Sequence, residues 1–93
     1  MFTVYILRTS KNTLYTGQTN NLARRLKQHQ SKNRQGAKYL RLFDSFELAY
    51  TESLATRSEA MMRERQIKTF SKKRKEQLIS SYVHTNYSEA LIS

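Results

Sequence analysis

The chain has 93 residues, 38% of them hydrophobic and ten of them Tyr or Phe, which is enough for one modest core and argues against wholesale disorder. It has no cysteine, which excludes disulfide frameworks and thiolate metal centres, and no apolar run near the roughly 18 residues of a membrane span. The net charge is +10, and nine Lys or Arg precede Asp44, the first acidic residue, so the surface points to nucleic acid rather than to a membrane.

Residues 2–8, Phe-Thr-Val-Tyr-Ile-Leu-Arg, favour the pleated backbone and predict a first strand. Ser10-Lys11-Asn12 is a polar turn, and residues 13–17 predict a second strand. The hairpin would set Tyr5 and Tyr15 roughly opposite one another, on a shared face only if the loop length allows it. Gly17 ends this strand and permits a positive φ or the close approach of another backbone. Asn20 or Asn21 can then cap a helix reaching about Gln30. On that helix Leu22 and Leu26 form the inward stripe. Arg25 and His29 lie at its edge, placed to rim a pocket, while Arg24 and Lys27 point outward.

Residues 31–36 read as a loop, and 37–43 as either a short helix or an irregular connection. Phe46, Leu48 and Tyr50 alternate onto one face of a third strand. Thr56-Arg57-Ser58-Glu59 is a capping box, so Glu59 needs no chemical role. The helix it opens lines up Ala60, Glu64 and Ile67. A carboxylate on that apolar line calls for a partner: Arg, a metal ion, or both. Ser71 can cap a last helix, reaching about Val83. Lys72, Lys73, Arg74 and Lys75 crowd its first turn, where cations oppose the helix dipole unless an anion is near. Residues 1–83 are expected to form the domain and 84–93 a flexible tail. The expected fold is α+β: a three-stranded, mainly antiparallel sheet flanked by helices. With no basic lead-in for a signal peptide at Met1, a soluble cytoplasmic location is expected.

Among reactive groups, two glycines do not make a phosphate-binding loop, and two histidines without cysteine do not make a zinc site. There remain two strand tyrosines, an Arg/His pair and a lone helical glutamate. One carboxylate with waters and substrate phosphates suffices for Mg²⁺.

Val4-Tyr5-Ile6, then Tyr15-Thr16-Gly17, then Arg25 eight positions after the glycine resembles the GIY-YIG nuclease superfamily, small stand-alone bacterial type. Glu59-Ala60-Met61-Met62-Arg63-Glu64 followed by Ile67-Lys68 resembles that family's metal-binding helix. The resemblance spans residues 2–75. Val4 and Thr16 depart from the eponymous words but leave the tyrosines and Gly17 in place.

The resemblance implies an endonuclease that hydrolyses DNA phosphodiester bonds, structure-selective and serving DNA repair or recombination. It implies Glu64 as ligand to Mg²⁺ or Mn²⁺, Arg25 on the scissile phosphate, and Tyr5 and Tyr15 orienting or deprotonating water. His29 is an alternative base, and Gly17 admits the substrate. Arg24, Lys27 and Lys72 to Lys75 would hold the DNA, or RNA, backbone. Two alternatives are a basic nucleic-acid-binding module with little or no turnover, and a component of a larger nucleoprotein assembly.

Overall fold

The computed structural model describes residues 1–30 and 45–92, with side chains as far as Tyr82. The readings of 31–36 and 37–43 lie outside the described residues. Three strands, β1 (Phe2–Thr9), β2 (Leu14–Thr19) and β3 (Phe46–Leu54), form an antiparallel sheet in the order β2-β1-β3. Helix α1 (Leu22–Gln30) follows β2, and α2 (Arg57–Lys68) and α3 (Lys72–Ile92) follow β3. This is the α+β arrangement expected from the sequence.

The β1–β2 turn uses Asn12 at φ 61°, a conformation Asn tolerates better than most residues. The Asn12 N–H donates to the Thr9 carbonyl, and the Thr9 N–H to the Thr13 carbonyl, both at 2.9 Å. The loop length that results sets Tyr5 opposite Gly17 and Leu7 opposite Tyr15. The two tyrosines are therefore diagonal rather than opposite, and they share one face.

The face expected for β3 is corrected. Ile6 pairs with Tyr50 but Leu7 pairs with Leu48, so a β-bulge leaves Ala49 as the extra residue. An inserted residue reverses the alternation, and Phe46 and Tyr50 go to opposite faces. Tyr50 joins Val4, Ile6, Ala60, Ile67 and Ile79 under α2 and α3. Phe46 joins Tyr5, Leu7, Tyr15, Leu22 and Leu26 under α1. Leu48, expected to be inward, is 43% exposed. The sheet is thus a middle layer with a core on each side. The buried centre of the α2–α3 side is mostly aliphatic around Tyr50, and the α1 side gathers Tyr5, Tyr15, Phe46 and His29.

Each helix starts where a polar side chain meets its free N–H groups. Asn21 Oδ1 accepts from the Arg24 N–H at 3.1 Å, which assigns the α1 cap to Asn21 rather than Asn20. Thr56 Oγ1 accepts from the Glu59 N–H at 3.1 Å, the first half of the expected capping box. Ser71 Oγ accepts from the Arg74 N–H at 3.1 Å. The backbone of α3 runs to Ile92 rather than ending near Val83, since neither Gly nor Pro interrupts residues 84–92. A fork between Arg8 and Glu76, at 2.6 and 2.8 Å, ties the hairpin to α3.

Candidate active site

Tyr5, Tyr15, Arg25 and His29 converge beneath α1. Ring centroids lie 6.4 Å apart for Tyr5–Tyr15, 6.1 Å for Tyr5–His29 and 5.7 Å for Tyr15–His29. The Tyr5 hydroxyl is hydrogen-bonded to His29 Nε2 at 3.0 Å. Phe46 closes the far side edge-on, 6.0 Å from the imidazole. Arg25 donates to Gln28 Oε1 at 3.1 Å and lies beside the Tyr5 phenol.

His29 is not the rim residue expected from the sequence. It is 1% exposed, as is Tyr5. Leu22, Leu26 and His29 follow an i, i+4, i+7 spacing, so all three belong to the inward stripe of α1. That spacing was the signal available for placing it. No comparable signal marks Phe46, because the bulge that turns it inward leaves no trace in the alternation.

Burial governs the electrostatics. The Tyr5 phenol is pushed up to about 12, because desolvation disfavours the phenolate. The hydrogen bond and charge of Arg25 oppose the rise, and the charges of Tyr15 and Glu64 add to it. Desolvation, helped by Arg25, lowers His29 to about 4. Both groups are therefore neutral near pH 7, and the bond joins a phenol to an uncharged imidazole.

A pH dependence follows. Between pH 6.5 and about 4 the unfolded chain protonates this histidine while the folded chain does not. Stability therefore falls as pH drops through that window, by roughly 3 kcal/mol in all. Thermal melts from neutral pH to pH 4 should show the loss in the native chain, and His29→Gln should flatten it. An equal loss in the variant would assign the dependence to other groups.

Gly17 has a different role from the one expected. Its φ is not positive. A Cβ built there would stand 2.5 Å from the Tyr5 hydroxyl oxygen and 2.6 Å from Cζ. The space that the glycine leaves is taken by the phenol ring rather than offered to a substrate.

Glu64 comes from the other layer. Ala60 and Ile67 bury against the sheet, and Glu64 between them keeps 21% of its side chain exposed. It lines a cleft of about 340 Å³ with Gln18 of the edge strand β2 and with Met61, Arg65 and Lys68. Its charge reaches Tyr5. Its ion-pair partner is Lys68, at 2.6 Å one turn on, rather than an arginine. An i,i+4 pair with a half-exposed lysine is weak and readily exchanged.

Among the described residues no group of three His, Cys, Asp or Glu is placed to hold a metal ion. The donor set that fits Mg²⁺ or Mn²⁺ is Glu64 alone, completed by water and phosphate oxygens, as hard oxygen-seeking cations accept. His29 is committed to Tyr5 and buried, so it is not a donor in that set.

The basic residues fall into two groups. Arg24 and Lys27 are exposed on α1, and Lys72 to Lys75 begin α3 across the sheet. Part of the second group is engaged within the fold. Lys72 approaches Glu76 at 3.7 Å, and Arg74 lies over the Phe70 ring at 5.3 Å. No helix among the described residues is long and apolar enough to cross a membrane.

Comparison with known proteins agrees with this geometry. The family model for the GIY-YIG catalytic domain matches residues 1–77. A UPF0213 protein of Natronomonas pharaonis is 43% identical over 77 residues, covering 83% of this chain and 88% of the relative. One from Staphylococcus saprophyticus is 42% identical over 77 residues, covering 83% and 92%. The solution NMR structure of a UPF0213 protein from Bacillus halodurans matches with a TM-score of 0.55 and 41% identity, covering 86% of this chain and 84% of that one. The chain therefore belongs to the GIY-YIG family of nuclease-type domains, among its small UPF0213 members.

Proposed function

We propose that the protein is a metal-dependent endonuclease that hydrolyses DNA phosphodiester bonds, selective for branched, nicked or single-stranded structures and acting in DNA repair or recombination. The observation that carries this reading is the convergence of Tyr5, Tyr15, Arg25 and His29, with Glu64 on the adjoining cleft within electrostatic reach of Tyr5.

Roles follow from exposure and charge. Arg25 is half-buried and always cationic, so its guanidinium fork is suited to the scissile phosphate. Tyr15 is half-buried as well, and its hydroxyl is the one that meets the attacking water. Tyr5 and His29 act from behind: burial keeps Tyr5 protonated, so it holds the site's geometry rather than serving as a free phenolate. A divalent cation at Glu64 would supply Lewis-acid stabilisation of the charge that develops on the phosphate oxygens. Lys68 occupies one of the two Glu64 oxygens, Oε1, and that pair is the observation that favours the second reading, a basic binding module with little turnover.

The test incubates supercoiled, single-stranded and branched DNA with the protein and Mg²⁺ or Mn²⁺, then with chelator. Cleavage is expected to stop with chelator, and Arg25→Ala is expected to slow it about a hundredfold. Binding without cleavage in every condition would favour the module, and cleavage undiminished in Arg25→Ala would remove Arg25 from the site.

A further inference from the structure

The nuclease reading leaves the exposed side of α2 unused. Arg57, Met61, Arg65 and Lys68 recur at spacings of four, four and three, forming a stripe about 16 Å long. Met62 lies beside it. Met61 and Met62 are 40% and 67% exposed and join neither core. Arg57, Ser58, Met61, Met62 and Arg65 line a groove of about 500 Å³. Met61 and Arg65 also line the Glu64 cleft, so the two hollows adjoin.

The arginines differ in what they do. Arg63, on the same helix, is engaged by Glu52 at 3.0 Å. Arg57 and Arg65 are exposed and have no ion-pair partner among the described residues. Two uncommitted cations alternating with apolar side chains match a ligand that alternates charge with flat apolar surface. In a chain of net charge +10, that ligand is an anion with apolar faces.

We propose that this groove is the track of an unpaired DNA strand, with phosphates on Arg57 and Arg65 and bases laid on Met61 and Met62. The direction rests on the nuclease reading: the strand runs from the scissile phosphate near Glu64 out along α2. A duplex would engage the arginines but not the methionines, because its base faces are stacked on one another. A single strand presents those faces, and apolar side chains including Met occupy unstacked steps. The substrate class assigned is therefore DNA with an unpaired segment next to the cut, such as a flap or splayed arm.

The test measures fluorescence anisotropy in EDTA, where nothing is cut. The probes are labelled oligothymidylate and a labelled blunt duplex of the same length. Two double variants are compared with the native chain, Met61→Ser with Met62→Ser, and Arg57→Gln with Arg65→Gln. All four side chains are exposed, so the variants should fold, and melting curves check this. The methionine variant is expected to lose about tenfold in affinity for oligothymidylate and little for the duplex. The arginine variant is expected to weaken both and to reduce the single-strand salt slope by about 1.4. Methionine effects that are absent, or equal on both probes, overturn the track, as does an unchanged salt slope.

A separate arm offers flap DNA with Mn²⁺ to the native chain. The expected binding differences without cleavage would sustain the track and sink the nuclease reading. Cleavage with native-like binding by the methionine variant would do the reverse.

Discussion

Gly17→Ala is expected to destabilise the protein and to disable the site, although it adds a single methyl group. The methyl would stand 2.5 Å from the Tyr5 hydroxyl oxygen, and the phenol has little room to retreat. It is buried in the α1-side core with Leu7, Leu22 and Leu26, and its hydroxyl is bonded to His29. Overpacking of this kind costs about 1–3 kcal/mol, and losing the Tyr5–His29 bond adds about 1 kcal/mol. A drop in melting temperature of about 10 °C or more is expected. The backbone is not the cause, since Gly17 does not need a positive φ. A double-mutant cycle separates the explanations. In a Tyr5→Leu background the shorter side chain leaves room, so Gly17→Ala should cost much less there. The same cost in both backgrounds would show that the clash with Tyr5 is not the reason for the glycine.

Glu64→Gln is expected to leave the fold intact and to reduce cleavage on the order of a thousandfold. The amide keeps the size of the side chain but neither its charge nor its capacity as a ligand for a hard cation. Only the exposed pair with Lys68 is lost, and such a pair contributes little to stability. The melting temperature should therefore stay within a few degrees of the native value while activity falls. A variant that unfolds would mean that Glu64 supports the packing of α2 instead. Arg63 and Glu52 make the useful contrast. Their fork at 3.0–3.1 Å, with Tyr50 donating to Glu52 at 2.6 Å, joins α2 to β3. Breaking it should lower stability with little specific effect on chemistry.

The sheet, its order of elements and the helix starts at Thr56 and Ser71 were legible because local signals decide them. β-branched and aromatic runs, polar caps and helical spacing all act within a few residues. Tyr5, Tyr15, Arg25 and Glu64 were legible as a candidate set only through the family resemblance that their motifs carry. What the sequence hid depends on single-residue insertions or on partners far along the chain. The bulge at Ala49 reverses a strand face without changing composition. The turn at Asn12 shifts the register so that Gly17, not Tyr15, faces Tyr5. Once that register is known, the glycine is explained by the ring above it. His29 was misplaced by grouping it with Arg25 rather than with Leu22 and Leu26. Glu64 finds its cationic partner in Lys68 one turn away, not in an arginine from another element.

The difference between these groups has a functional side. The core under α2 and α3 packs one face of the sheet, and the opposite face carries the tyrosines of the candidate site. Tyr5 and Gly17 are a fitted pair across two strands, and Tyr15 sits diagonal to them. Placing the tyrosines on the sheet and Arg25 on a capped helix fixes their mutual geometry without a substrate. Glu64 is the candidate member supplied by α2 rather than by α1 or the sheet, and it is paired with Lys68.

In the proposed mechanism Glu64 completes the site assembled under α1. The direct measurement is a side-by-side cleavage assay of the native chain and Glu64→Gln, prepared identically, over a titration of Mn²⁺ with supercoiled and flap DNA. The expected result is cation-dependent nicking by the native chain and a loss on the order of a thousandfold in the variant, with matching melting curves. Equal nicking by both proteins at every cation concentration would contradict the account and remove Glu64 from the chemistry.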